Sequence, residues 1–216
     1  MNFEDYKKII KEKMSKKRFI HSVNVAKAAE QLAVRYGGNV EKAKIAGILH
    51  DITKESPYDE QLKIMEINGI ILDDVQQFSP KTWHAISGSV YVRRVLRIED
   101  EDILNAIRYH TSGRAGMSLL EKIIFTADFI GEERDYKGVD VMRDKAKGSL
   151  EEAMLYGVSF SITDLTERQC AIDRNTFGLY NELVMEMSNK KNSKAENKST
   201  LLFFMLMLII SRLNLP

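Results

Sequence analysis

The sequence predicts an all-α fold, a helical bundle, and three observations carry the prediction. Prolines number only three in 216 residues. Residues that lose little side-chain freedom in a helix, such as Ala, Leu, Met, Lys and Glu, are abundant. Apolar side chains recur at every third or fourth position rather than at every second one.

The elements follow in order. Residues 3–17 set Phe3, Tyr6, Ile9 or Ile10 and Met14 on one stripe with lysines between them, the pattern of an amphipathic helix whose lysines face water. His21, Val25, Ala28, Ala29 and Leu32 make the next stripe, which ends at Tyr36, Gly37 and Gly38, where a glycine can take the left-handed cap. Residues 40–50 predict a third helix that delivers His50 and Asp51 at its last turn, and Pro57 marks a break soon after. His84 opens a further stretch in which Ala85, Ser87 and Gly88 allow helices to approach closely. Ile103, Ile107 and His110 share one face, as do Leu120, Ile124 and Asp128. Two more amphipathic runs, residues 150–165 and 176–187, are joined by a polar stretch and close a domain spanning residues 1–188.

Residues 189–200 hold four lysines, one glutamate and almost nothing apolar, a composition that predicts a disordered linker. The following tail, residues 201–216, begins with ten consecutive apolar side chains, whereas a spanning helix needs about twenty. It reads as a segment foreign to the domain, or a cohesive one, rather than a membrane anchor, so no membrane partner is expected unless the tail is native.

Composition narrows the function. A formal charge of +1 gives no overall field to draw in nucleic acid, so an anionic partner has to be held locally, which points to a small-molecule site. The lone Cys170 rules out an intramolecular disulfide and reads as a small buried or half-buried side chain; with no secretory signal pattern, the cytoplasm is the expected compartment.

The four histidines carry the chemistry. Each closes or opens an apolar-periodic run, and together with Asp51 beside His50 and the late Asp128 they supply six mixed nitrogen and oxygen donors: His21, His50, Asp51, His84, His110 and Asp128. A single buried histidine is most often satisfied by a backbone carbonyl, but six such residues suffice for two divalent cations sharing a carboxylate. Asp128 sits where its stripe calls for an apolar residue, and a buried acid there needs a cation or a hydrogen-bonded partner. Imidazole with carboxylate suits iron, manganese, cobalt or zinc better than magnesium or calcium; iron is the first expectation.

These residues resemble the HD superfamily of metal-dependent phosphohydrolases, whose His, His-Asp, Asp pattern is matched by His21, His50 with Asp51, and Asp128. Residues 18–26, 50–54, 84–88, 109–113 and 127–140 more narrowly resemble the bacterial YqeK family, across residues 5–185. The resemblance implies an HD-domain helical bundle with a binuclear site in its core. His21, His50, Asp51 and Asp128 would hold one ion and Asp51, His84 and His110 the other. The implied reaction is symmetrical cleavage of diadenosine tetraphosphate into two ADP, with a metal-bridging hydroxide attacking. Asp51 and Lys54 are then the candidate catalytic residues, and Arg18, Lys54, Thr111, Gly113 and Arg134 the candidate contacts to a nucleotide phosphate chain. The chain departs from the pattern at Gly131 and Glu132, where an acidic residue and a proline are expected. Trp83 reads as packing rather than as a base platform. The same ligands could serve another nucleotide, such as a mononucleotide, a cyclic dinucleotide or a guanosine alarmone, or a regulatory nucleotide-binding protein without turnover. A homodimer is compatible with the sequence.

Overall fold

The structure is a computed structural model that describes the backbone of residues 1–213 and the side chains of residues 1–193. Every regular element among the described residues is helical. The chain begins with α1 (Phe3–Lys13) and α2 (Lys16–Tyr36). The two are separate helices where the apolar stripe predicts one run to residue 17. The break is made by Ser15, whose hydroxyl caps α2 and donates to Glu55 Oε1 at 2.7 Å while its amide donates to Glu55 Oε2 at 2.6 Å. A side-chain oxygen offered to the orphan amides of a new first turn outweighs continued periodicity. α2 ends at Gly37, whose φ of 71° is the left-handed cap.

α3 (Val40–Leu49) packs along α2, and Gly47 is the point of closest approach: a Cβ there would lie 2.8 Å from the Cα of Ala26. α4 (Tyr58–Glu66) and the short α5 (Asp74–Gln77) follow, then one 3₁₀ turn (Pro80–Thr82) leading into α6 (Trp83–Arg94). α7 (Glu101–Arg108) and α8 (Leu119–Ile130) complete the inner bundle. Ile10, Val25, Leu49, Ile107, Ile123 and Ile124 fill one continuous core between these helices, which supplies the main favourable free energy of folding. α9 (Val139–Gly148) and α10 (Leu150–Glu167) close that core with Met142, Ala146, Leu150 and Ala153, and Leu179 and Leu183 of α11 (Arg174–Leu213) join Phe125 and Met154 in a second apolar cluster.

Two expectations change here. Residues 189–200 are helical backbone continuing α11: the stretch has neither proline nor glycine to stop a helix already nucleated upstream. Cys170 is exposed, placed by the turn after α10 rather than in a core. Trp83 is packing, as expected: it is buried beside Met65 and Ile86, and its Nε1 donates to the Gln76 carbonyl at 2.7 Å. Among the described residues no helix is long and apolar enough to cross a membrane. Residues 214–216 of the tail lie outside the described residues.

Candidate metal centre

Five helices bring the donors together. His21 lies in the second turn of α2; His50 is the C-terminal cap of α3, with Asp51 in the turn beyond it; His84 is in the first turn of α6; His110 lies in the turn after α7; and Asp128 belongs to the last turn of α8. Most of these positions are helix ends, where the backbone turns and successive side chains can converge instead of diverging by about 100°. All four imidazoles and Asp51 are buried.

Asp51 is the centre. Its Oδ2 lies 3.3 Å from His50 Nε2 and 3.5 Å from His21 Nε2, while its Oδ1 lies 3.2 Å from His84 Nε2 and 3.6 Å from His110 Nε2. One carboxylate thus addresses two pairs of histidines with two different oxygens. Asp128 Oδ1 joins the first pair, 3.0 Å from His21 Nε2 and 3.8 Å from His50 Nε2.

The outer ring nitrogens fix the tautomers. His50 Nδ1 donates to the Gly47 carbonyl at 2.7 Å, His110 Nδ1 to the Ile107 carbonyl at 2.7 Å, and His84 Nδ1 to the Lys81 carbonyl at 2.9 Å. His21 Nδ1 bonds to Glu133 Oε1, and Glu133 Oε2 accepts from Asn24 Nδ2 at 2.7 Å. With each Nδ1 turned outward, the Nε2 lone pairs face inward in pairs, His21 against His50 at 3.1 Å and His84 against His110 at 3.2 Å. Lone pairs and carboxylate oxygens facing one another across a buried space are the complement of a cation, and outward Nδ1–H bonds of this type orient metal-binding imidazoles. The donor set fits divalent metal.

Electrostatics favour ionised carboxylates and neutral His50 and His84, while His21 is pulled towards its protonated form. Burial pushes the Asp51 carboxyl up, but the surrounding imidazoles, His50 foremost, outweigh it and hold Asp51 well below the usual carboxylate range. Asp128 is likewise held well below by His21 and Arg134 against its burial. Burial drives His50 and, more strongly, His84 down, keeping them neutral, the form that binds metal. His21 is raised, since Asp128 and Glu133 outweigh its burial.

The remaining predicted residues divide. Arg18 Nη1 donates to Asp51 Oδ2 at 2.6 Å, and Arg134 holds Asp128 through Nε to the carbonyl at 2.7 Å and through Nη2 to Oδ1. Lys54 Nζ sits 3.2 Å from both ring nitrogens of His84, and burial lowers its pKa. Thr111 Oγ1 is 2.9 Å from His110 Nε2 and 3.2 Å from His84 Nε2. Gly113 has a packing reason for being glycine: its φ is 64° and a Cβ would lie 2.3 Å from Leu179 Cδ2. The sequence reading missed Glu133, which lies 112 positions from the histidine it holds; the acidic pair Glu132 and Glu133 just after the Gly131 departure was the available signal. A cavity of ≈ 760 Å³ opens beside Lys54 and Thr111, between residues 78–82 and residues 160–176.

A helical bundle that buries two histidine pairs around a shared aspartate defines a divalent-metal protein of the phosphohydrolase type. Residues 18–130 match the HD domain family, and the chain belongs to it. It is 39% identical over 187 residues, covering 85% of this chain and 98% of the relative, to the symmetrical bis(5'-nucleosyl)-tetraphosphatase of Bacillus subtilis. It is 37% identical over 178 residues, 82% of this chain and 95% of the relative, to the protein of the same name from Halalkalibacterium halodurans. A crystal structure from Clostridium acetobutylicum, titled a predicted HD superfamily hydrolase involved in NAD metabolism, superposes with a TM-score of 0.84 at 34% identity, covering 86% of this chain and 98% of that one.

Proposed function

We propose that this chain is a symmetrical dinucleoside tetraphosphatase, hydrolysing diadenosine tetraphosphate to two ADP. The observation that carries the reading is the division of Asp51 between two histidine pairs, joined to the function named for relatives that align along most of this chain. His21, His50, Asp51 and Asp128 would hold one cation, and Asp51, His84 and His110 the other, with iron the first choice and manganese, cobalt or zinc as alternatives. Bound there, such cations supply charge neutralisation for the phosphates and a water acidic enough to attack near neutral pH.

The chain's own groups do the rest. The carbonyls of Gly47, Lys81 and Ile107 and the carboxylate of Glu133 keep the four imidazoles in register and in the right tautomer. Lys54 is assigned the charge that builds up on the phosphate chain as a central P–O–P bridge opens, and the Thr111 hydroxyl a hydrogen bond to a phosphate oxygen. Arg18 and Arg134 hold Asp51 and Asp128. Water adds across the bridge: its oxygen bonds to one central phosphorus, the bridging oxygen leaves with the other, and a proton is released. The cytosol, where Cys170 remains a thiol, is the compartment this reading assigns.

The test is chromatographic. Protein loaded anaerobically with Fe(II) or Mn(II) yields ADP alone from diadenosine tetraphosphate, and His50→Ala and Asp51→Ala lose metal and activity while keeping their helical signal. ATP plus AMP rejects symmetrical cleavage, and unchanged turnover in both variants rejects the metal assignment.

A further inference from the structure

We infer that the cavity beside Lys54 and Thr111 is a nucleoside site in which Phe78 and Phe160 offer stacking faces to a purine base; this rests on the function proposed above. Two walls form the cavity: the segment from Phe78 to Thr82, and the end of α10 with the turn into α11. Lys54 and Thr111 belong both to this cavity and to the histidine cluster, so a phosphate chain can pass from one to the other without a break. The volume of ≈ 760 Å³ falls in the range of roughly 300–1,000 Å³ usual for small-molecule sites.

The aromatics are the second observation. Phe78 is 82% exposed and Phe160 41%, a large apolar surface left in water on two separate elements that meet at one cavity. Phe160 has one neighbour already, Tyr136, at a centroid distance of 5.1 Å, which steadies the ring without covering it. Around them lie groups able to read base edges or ribose hydroxyls: Ser161, Asp164, Arg168 and Gln169. Gln169 holds a φ of 53°, a left-handed backbone that costs free energy in a non-glycine residue. The start of α11 is fixed beside the cavity by Arg174, which reaches Asp74 Oδ1 of α5 at 2.5 Å, and by Thr176, whose hydroxyl donates to the Ser112 carbonyl at 2.9 Å. Stacking on such a ring is indifferent to phosphate chemistry, so its loss separates base binding from phosphate binding.

Calorimetric titration of the metal-loaded full chain with ADP and, separately, with pyrophosphate decides the matter. Phe78→Ala, at a position too exposed to threaten folding, weakens ADP by about tenfold and leaves pyrophosphate within twofold; Phe160→Ala moves ADP the same way. Unchanged ADP affinity in Phe78→Ala, equal loss of both ligands, or no ADP binding by the unsubstituted protein overturns the site. Hydrolysis of diadenosine tetraphosphate is followed alongside. Cleavage with an unaltered ADP affinity in Phe78→Ala rejects the base site alone, whereas base-dependent ADP binding without cleavage rejects the proposed reaction and keeps the site.

Discussion

The two halves of the histidine cluster use the same imidazoles and share Asp51, yet they are braced differently. On one side His21 and His50 face Asp128, and the surroundings are charged: Glu133 behind His21, Arg134 on Asp128 and Arg18 on Asp51. On the other side His84 and His110 are braced by the carbonyls of Lys81 and Ile107, and beyond the shared Asp51 they meet Lys54 and Thr111, which line the cavity. The first half has two carboxylates within reach of its cation position and the second has one. Attraction to a divalent ion grows with each anionic donor in a low-dielectric site, so on the proposed two-ion reading the first half would hold its ion more tightly and the second would be the half open to substrate.

Asp51→Asn gives the largest expected effect, because it alone serves both halves. Both ions are lost from the purified protein, and turnover falls by more than about a thousandfold; metal analysis showing one ion retained contradicts a shared carboxylate. His84→Ala comes next. It removes one ion, leaves the tighter one and lowers activity by at least about a hundredfold; loss of both ions, or an occupied second half, erases the asymmetry. Glu133→Ala sharpens the comparison from the opposite side, weakening the ion at His21 by about 10- to 100-fold with the His84 ion unaffected, read by competition with a chelator. Equal weakening of both ions breaks the distinction between a charged and a carbonyl brace. Gly113→Ala is the smallest change: the clash with Leu179 and the left-handed backbone cost about 1–3 kcal/mol of stability, measured by denaturant unfolding, with the metal content kept.

Much of the site was legible in the sequence because its donors interrupt helical stripes. A histidine or an aspartate at a position whose neighbours three and four away are buried is conspicuous, and His21, His84 and Asp128 all stand out in this way. His50 and Asp51 were readable from the end of a helix. Glu133 was not, since it belongs to an irregular loop with no period to violate, and its partner lies on another helix. α4, α5 and α9 also escaped: α4 buries little beyond Gln61 and Met65, α5 buries nothing, and α9 buries Val139, Met142 and Ala146 among charged neighbours. The break at Ser15 depended on Glu55, forty residues away, a tertiary contact that local propensity does not register. The cavity was invisible for the same reason, its walls being assembled from segments about eighty residues apart.

The contact of Gly47 with Ala26 acts as a ruler. The separation of α2 from α3, and hence of His21 from His50, is set where backbone meets backbone, not by the bulk of interposed side chains. A methyl group at residue 47 would alter the gauge of the site while leaving all six donors in place.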